Sequence, residues 1–580
     1  MAARHDPTQS VWRTVLPAEK LPTGSMAHVK PDGHHILLLR DEDGNVRALD
    51  NRCPHEGYSL AQGDLKGQAL TCSWHNWKFD IRTGRCLLGG EGVRSFPTRI
   101  EGEMIEVDLA PLDPEVLKEG ILSSFHEGLS KHENDRAIRD GIRWIEAGFS
   151  PWELLSEIGY HDALHAEYGT SHALAAAADW GRYLDRLPGA EAMYAIAPAI
   201  DMCGEECQRL PRRERPRAKP GGTLETIRAA AEAEDAREAE ALLLGAIDAG
   251  VAPQTIESWL SDLFADHFNG FGHTLIYLMK AHELFEKTNW RHARDIFGAL
   301  LYRYVVSTRE DTLPYMKPYA DRLAALEPEL AALHEGLVGN EKFDGDRLAF
   351  SVLDGNAKEA LDALEEALRA GADIPSMARG LVAAAAQRFL RFDPKVEADQ
   401  DVAETWIWVT HRFTYASAVR TVVERLNSPS AIRYLFHALA FIHTGRRMDQ
   451  PRPERDRFLP APGTVEDMLA AIRGGDRIGA VNQALGLLEA GEAATLRRAL
   501  ESFLLEDPAI RPIVWTHLLK TVTAAWDEYD HVHGHPDGNA AVLAAVRMLA
   551  SHPRERSLNG QVRTALRWVV EGIIPKKLTQ

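Results

Sequence analysis

Two short segments, Cys53-Pro54-His55 and Cys72-Ser73-Trp74-His75, each put a thiol beside an imidazole, and a 16-residue spacer separates them. Four soft donors in that pattern restrict the fold more than anything else in the chain. Both segments must be loop tips, and flanking elements must bring them together. Two sulfurs and two nitrogens suit a [2Fe-2S] cluster in which one iron takes both thiolates and the other both imidazoles. Zinc accepts the same donors, although its sites usually pair cysteines as C-x2–4-C. Only five cysteines occur in 580 residues, too few for a disulfide framework, so metal chemistry is the reading to pursue.

The residues around these segments alternate short β-branched and apolar runs with turn formers. His35–Leu39, Val46–Leu49, Ala69–Cys72, Lys78–Ile81 and Met104–Leu109 read as strands, with Asp41–Asn45, Asp80–Gly84 and Glu101–Glu103 as turns. Past Pro111 the composition becomes rich in Ala, Leu, Glu and Arg with helical periodicity, clearest at Ala229–Ile247, Ala357–Arg369 and Ile478–Glu489. The expected fold is multidomain: a small all-β domain over 1–111, then a large all-α domain over 112–580.

The helical part also repeats. Ala-Gly pairs at Ala147-Gly148, Ala249-Gly250, Ala370-Gly371 and Ala490-Gly491 each close an amphipathic helix, preceded by Asp135, Asp235, Asn356 and Asp476 as N-caps. A bulky helix bearing His172, His273, His411 or His517 follows each pair. This predicts divergent helical repeats over 130–222, 223–345, 346–462 and 463–580. The basic, Pro-rich stretch Gln208–Gly222 reads as a mobile loop with solvated arginines.

The first hundred residues resemble the bacterial Rieske ferredoxins and the N-terminal domains of Rieske oxygenases. The resemblance rests on Cys53–Leu60, Cys72–Phe79 with Asp80, the Thr83-Gly84 turn and the Ser95–Glu106 run. It implies that Cys53 and Cys72 ligate a buried iron, and His55 and His75 an outer one. The respiratory-complex members differ, because their extra cysteine in each loop is lacking and Trp77 stands where they carry a serine. Fewer hydrogen bonds to the cluster sulfurs imply a low-potential centre that delivers electrons to oxygen chemistry. Tyr58, Trp74 and Trp77 are expected to form an apolar cover over it, and Cys86 to be a buried hydrophobe.

For the helical region several sites compete. Asp162-x-x-His165, with His161 and His172 nearby, partly echoes a two-His-one-carboxylate iron site. The same pair with Glu528-x-x-His531 could supply a di-iron centre on facing helices. The segment His531-x-His533-x-His535-x-Asp537 mimics a hydrolase metal loop, and Cys203-x-x-x-Cys207 puts two thiols on one helix face. Tyr160–His172 and Gly272–Glu286 faintly resemble the questin oxidase-like family, and by that resemblance His161, His165, His273, His282 and His411 are pocket candidates.

These features predict an oxidoreductase of oxygenase or oxidase type. A [2Fe-2S] cluster would take single electrons from an NAD(P)H-dependent reductase or a ferredoxin. It would pass them to a site in the helical domain, with a second iron as the candidate acceptor, acting on a small-molecule substrate. The alternative is a non-enzymatic electron carrier whose helices are a docking scaffold. A net charge of −19 argues against nucleic-acid or anionic-membrane partners. The N-terminal stretch has no apolar core of signal-peptide length, so a cytoplasmic location is expected.

Overall fold

In the computed structural model the N-terminal residues fold into three antiparallel sheets. The structure describes residues 10–551 apart from 338, 340–342, 507–509 and 533–535, and beyond 551 only 562, 566, 567, 570, 571 and 573. The strands are β1 (Trp12–Pro17), β2 (Met26–Val29), β3 (Ile36–Arg40), β4 (Val46–Asp50), β5 (Asp64–Lys66), β6 (Ala69–Thr71), β7 (Lys78–Asp80), β8 (Cys86–Leu88), β9 (Ser95–Phe96), β10 (Thr98–Glu101) and β11 (Met104–Asp108). Their orders are β1-β11-β10, β2-β3-β4-β9 and β5-β6-β7-β8.

The unbroken apolar run Ile36-Leu37-Leu38-Leu39 explains why three sheets form instead of one. Alternate side chains of a strand point to opposite faces. Leu37 and Leu39 therefore pack with Leu49, Leu60, Leu70, Phe79 and the two motif cysteines, while Ile36 and Leu38 pack with Phe96, Ile105 and Val107. The β3–β4 hairpin is closed by Asp41, whose Oδ1 accepts the Asn45 backbone N–H at 2.7 Å. The middle strand thus anchors both cores, and the sheet β5-β6-β7-β8 carries the second motif loop between β6 and β7.

Two helices complete this unit, α1 (Pro114–Lys131) and α2 (Asn134–Glu146). Asp113 caps α1 by accepting the N–H groups of Glu115 and Val116. The chain divides into a unit over Met1–Phe149 and a unit over Ser150–Gln580. The first compact unit therefore runs past Pro111, because α2 is tied back by Arg139 and Arg143, which both reach the buried Glu91 carboxylate.

The second unit is helical, beginning with α3 (Pro151–His165), α4 (His172–Gly181) and α5 (Met193–Cys207). The four Ala-Gly pairs do end helices, with the glycines at φ between +78° and +91°. Asp235, Asn356 and Asp476 cap the helices they precede. Asp135 does not: the N-cap there is Glu133, and Asp135 lies inside α2, paired with Arg139. The stretch Gln208–Gly222 carries no helix or strand; Arg209, Arg212 and Arg217 are exposed as expected, but two of its arginines are not solvated. Arg213 and Arg215 are 12% exposed, and they pair with Glu240 and Asp295. That loop is pinned by buried charge. Among the described residues no helix is long and apolar enough to cross a membrane.

Candidate metal centres

The two motif loops have one shape. Cys53 donates its N–H to Tyr58 O and accepts Gly57 N–H, both at 2.8 Å. Cys72 likewise donates to Trp77 O at 2.8 Å and accepts Asn76 N–H at 3.2 Å. Each turn needs a left-handed residue four places after its cysteine, supplied by Gly57 (φ +80°) and Asn76 (φ +59°), the two residue types that tolerate it best. Asn51 ties the first loop down through Ser59 Oγ and Ala61 N–H, and Ser73 Oγ donates to Gln62 O from the second.

Both cysteines are buried, whereas His55 and His75 stand at the rim, the latter with a side chain 41% exposed. The imidazoles face each other edge to face, with Nδ1 to Nδ1 at 3.0 Å and ring centroids 4.4 Å apart. Burial pushes the Cys53 thiol up to about 12, and the adjoining Cys72 thiol adds to the shift. Two thiolates here need cationic charge between them. Two buried sulfurs with two converging Nδ1 atoms fit a [2Fe-2S] group of mixed ligation. Among the described residues His55, Glu56 and His75 also form a group able to hold an ion. Trp77 is stacked on His55 at 4.8 Å. Tyr58 and Trp74 stack on each other at 4.4 Å but are 37% and 55% exposed, so they flank the rim instead of sealing it. Cys86 is half-buried in β8.

In the helical unit four imidazoles meet. His172 begins α4, His273 begins the helix His273–Thr288, His411 lies in the helix Trp406–Val423 and His517 in the helix Pro512–His531. The Nε2 atoms lie 3.2 Å apart for His172–His273, 2.8 Å for His273–His411 and 3.4 Å for His411–His517. His172, His411 and His517 have ligand atoms all within 4.8 Å of one another. Three of the rings are oriented from behind, because Nδ1 of His273, His411 and His517 bonds the carbonyl of Gly270, Ile407 and Ile513. A carbonyl only accepts, so Nδ1 carries the proton and Nε2 presents a lone pair inward.

Burial and Lys520 hold all four histidines well below their ordinary range, and neighbouring imidazoles add to the shift at His172, His411 and His517. Lys520 Nζ lies 3.0 Å from His411 Nε2, and burial pulls its ammonium down to about 7. Behind His172, Glu206 approaches Nδ1 at 4.0 Å, and burial together with Asp162 raises its carboxyl to about 7. The buried Tyr277 hydroxyl has no hydrogen-bond partner among the described residues, and its ring lies 5.8 Å from His172 and 5.3 Å from His273. Neutral imidazoles with inward lone pairs are what a first-row transition metal takes as ligands.

Of the sequence candidates, His273 and His411 belong to this cluster. His161 and His165 do not: they stack on each other at 4.3 Å in α3, and His165 Nδ1 bonds Leu210 O. His282 pairs with Glu257 and Glu286. The carboxylate pairs are occupied elsewhere. Asp162 accepts from Thr170 Oγ1, Ser171 Oγ and Ser171 N–H, while Glu528 holds Arg420 and Ser417, and His531 faces Glu424. His533 and His535 lie outside the described residues, and Cys203 and Cys207 are buried in α5, with Cys207 Sγ 3.8 Å from Asp162. The pocket candidates omitted His172, His517 and Lys520. The shared place of four histidines after four Ala-Gly closures was the signal that could have found the first two.

Residues 11–97 match the model of the Rieske [2Fe-2S] domain. The ferredoxin component of the naphthalene 1,2-dioxygenase system of Pseudomonas aeruginosa is 30% identical over 101 residues, which are 17% of this chain and 96% of that protein. The 4beta-methylsterol monooxygenase of Methylococcus capsulatus is 32% identical over 114 residues, 18% of this chain and 30% of that enzyme. This chain thus spans less than a third of that enzyme. The solved ferredoxin of carbazole 1,9a-dioxygenase from Nocardioides aromaticivorans is 28% identical, covering 17% of this chain and 97% of that one, with a TM-score of 0.16. Nearly the full length of the naphthalene-system ferredoxin component is matched, and through this domain the chain belongs to the Rieske [2Fe-2S] family.

Proposed function

We propose that this protein is an oxidoreductase in which a Rieske cluster, held by Cys53, Cys72, His55 and His75, exchanges single electrons with a redox-active metal held by His172, His273, His411 and His517. Iron is the metal the reading favours. Zinc has no redox chemistry, and a fused electron carrier would have no purpose beside it. The electron donor is an NAD(P)H-dependent reductase or a ferredoxin, as befits a domain whose relatives include ferredoxin components of dioxygenase systems. The reaction is of the oxygenase or oxidase type on a small molecule, and the four histidines descend from equivalent positions in four helical repeats.

The observation that carries the reading is the 2.8 Å approach of His273 Nε2 to His411 Nε2, with both Nδ1 protons already committed to carbonyls. When bound, the cluster supplies one-electron exchange and a four-imidazole iron supplies a site for oxygen activation. The chain's own part is to hold the imidazoles neutral, aim their lone pairs and keep bulk water away. His411, His517 and Lys520 are buried, and Lys520 keeps a proton-bearing amine at the edge of the cluster.

The test is metal content with an EPR spectrum of the dithionite-reduced protein. Three irons per chain are expected, with a low average g-value from mixed His/Cys ligation. His411→Ala should lose one iron and keep the cluster signal, and Cys72→Ser should lose the cluster signal and keep the one. Two irons per chain and no further metal would leave only an electron carrier on a helical docking scaffold. A zinc in place of the third iron would end the oxygenase reading.

A further inference from the structure

Trp77 packs on His55 beside a glycine loop that is gripped by a helix lying outside the family match. One face of its ring stacks on His55 with centroids 4.8 Å apart and planes 20° apart. The Gly89-Gly90 backbone closes on the same ring. A Cβ on Gly89 would stand 2.5 Å from Trp77 Cδ2 and 2.6 Å from Cγ, and one on Gly90 would stand 2.9 Å from Cη2, so only glycines allow this approach. Next in the chain is Glu91, 4% exposed although charged.

Glu91 is gripped from α2. Arg139 Nε donates to Oε1 at 2.8 Å and Arg139 Nη2 to Oε2 at 3.1 Å, a two-pronged contact, and Arg143 Nη1 adds a bond to Oε1 at 3.3 Å. Arg143 is braced in turn by Asp140 at 2.7 Å, and Arg139 by Asp135 at 2.8 Å. Planar two-point pairs of this kind fix geometry as well as charge. The matched family region ends at residue 97, and α2 spans Asn134–Glu146, so this grip is an addition to the domain.

We propose that the α1–α2 hairpin tunes the cluster's reduction potential through Glu91, which acts as a positioning residue pressing Gly89-Gly90 and Trp77 onto the imidazole of His55. The inference rests on His55 being an outer-iron ligand. A pressed indole shields that ligand from water on one side. Reduction adds a negative charge to the cluster, and water favours the more charged state, so shielding keeps the potential low. Releasing the grip lets water reach the ring and raises the potential.

Charge and mechanics make opposite predictions for one variant. Arg139→Gln with Arg143→Gln removes two cations near the cluster, which by electrostatics alone disfavours reduction. By the grip it frees the glycine loop and favours reduction. The expected result is a reduced-to-oxidised ratio about tenfold higher at fixed ambient potential, an upward shift of 59 mV for one electron. Glu91→Gln and Trp77→Leu should each raise the ratio, and the double variant should match Trp77→Leu alone, because the two act in series.

Potentials would be read by EPR-monitored titration of the full chain, with spin counts and iron content certifying an intact cluster. A downward shift in the double-arginine variant overturns the proposal. So do additive shifts in the Glu91/Trp77 cycle, which remains decisive if the arginine variant fails to assemble. A parent protein without a mixed His/Cys signal would refute the ligand assignment itself, a separate failure visible before any variant is made.

Discussion

Gly272→Ala tests whether the turn ahead of His273 sets the four-imidazole arrangement. Gly272 is the N-cap of His273–Thr288, at φ +79°. A Cβ there would fall 2.2 Å from Tyr415 Cδ2 and 2.7 Å from Cγ. A left-handed residue with a Cβ costs about 1–2 kcal/mol. An added methyl in a packed core costs about 1–3 kcal/mol. The two together predict a loss of roughly 2–5 kcal/mol, a large part of the ~5–15 kcal/mol that holds a domain folded. Tyr415 is one helical turn beyond His411, so relieving the overlap moves either His273 or the helix bearing His411. Gly250→Ala is the control. Its φ is +91° but nothing lies within 4 Å of its Cβ, so it should lose only the conformational part, about 1–2 kcal/mol. The assay is urea unfolding of the full chain together with cobalt(II) titration followed by its visible absorption. Gly272→Ala should weaken metal binding about 10–100-fold, the usual effect of misaiming a ligand, while Gly250→Ala should bind like the parent. Equal stability losses with unchanged binding in both variants would refute the dependence.

Chelation of the metal proposed for the helical unit should lower the melting temperature, and restoring free metal at a hundred times Kd should return about 2.7 kcal/mol, measured by calorimetry. His282→Ala should leave metal content unchanged, because His282 is committed to Glu257 and Glu286, whereas His517→Ala should reduce the third metal by inductively coupled plasma analysis. Burial pushes the Glu283 carboxyl up, but Lys280 and Arg182 outweigh it and hold it at about 2, below its ordinary 4.5. Its contribution to stability is therefore whole above pH 4.5 and drains as the pH falls toward 2. Melting curves of Glu283→Gln should be flatter across that window than those of the parent.

The cluster loops were legible because their chemistry is local. Each needs one thiol, one imidazole and one left-handed residue within six positions, and all three stand in the sequence at Cys53–Tyr58 and Cys72–Trp77. The strands around them were legible for the same reason, since alternation and turn residues act over a few positions. The histidine cluster was not, because its members are 345 positions apart at the extremes and only packing selects them from 24 histidines. His161, His165 and His282 sit in equally apolar helical text as His273 and His411. What separates them is which way a helix is rotated, and that is decided by its neighbours. Arg213 and Arg215 in Gln208–Gly222 misled for a related reason, while Arg209, Arg212 and Arg217 are exposed as expected. A basic, proline-rich run looks solvated until Glu240, fully buried on a distant helix, supplies the partner for Arg213.

A count of protons distinguishes a metal site from a polar core. Three Nδ1–H groups are spent on the carbonyls of Gly270, Ile407 and Ile513. Three inward lone pairs remain, on His273, His411 and His517, and two donors face them. Lys520 reaches His411 at 3.0 Å, and His172, whose Nδ1 has no carbonyl behind it, can turn its proton inward to His273 at 3.2 Å. The His517 lone pair is then left without a donor, and the 2.8 Å contact between His273 and His411 still sets lone pair against lone pair. Protonating another imidazole would settle the count, but burial and Lys520 press every one of them away from the charged form. A buried acceptor left unpaired costs about 1–3 kcal/mol, so a purely structural role would leave a buried cluster destabilised. A single cation would satisfy His172, His411 and His517, whose ligand atoms all lie within 4.8 Å of one another, and would leave His273 free to accept from a neighbour. If X-ray absorption of the loaded protein gave a first shell without histidine nitrogens, that economy would be illusory and the cluster would have to be explained by proton sharing after all.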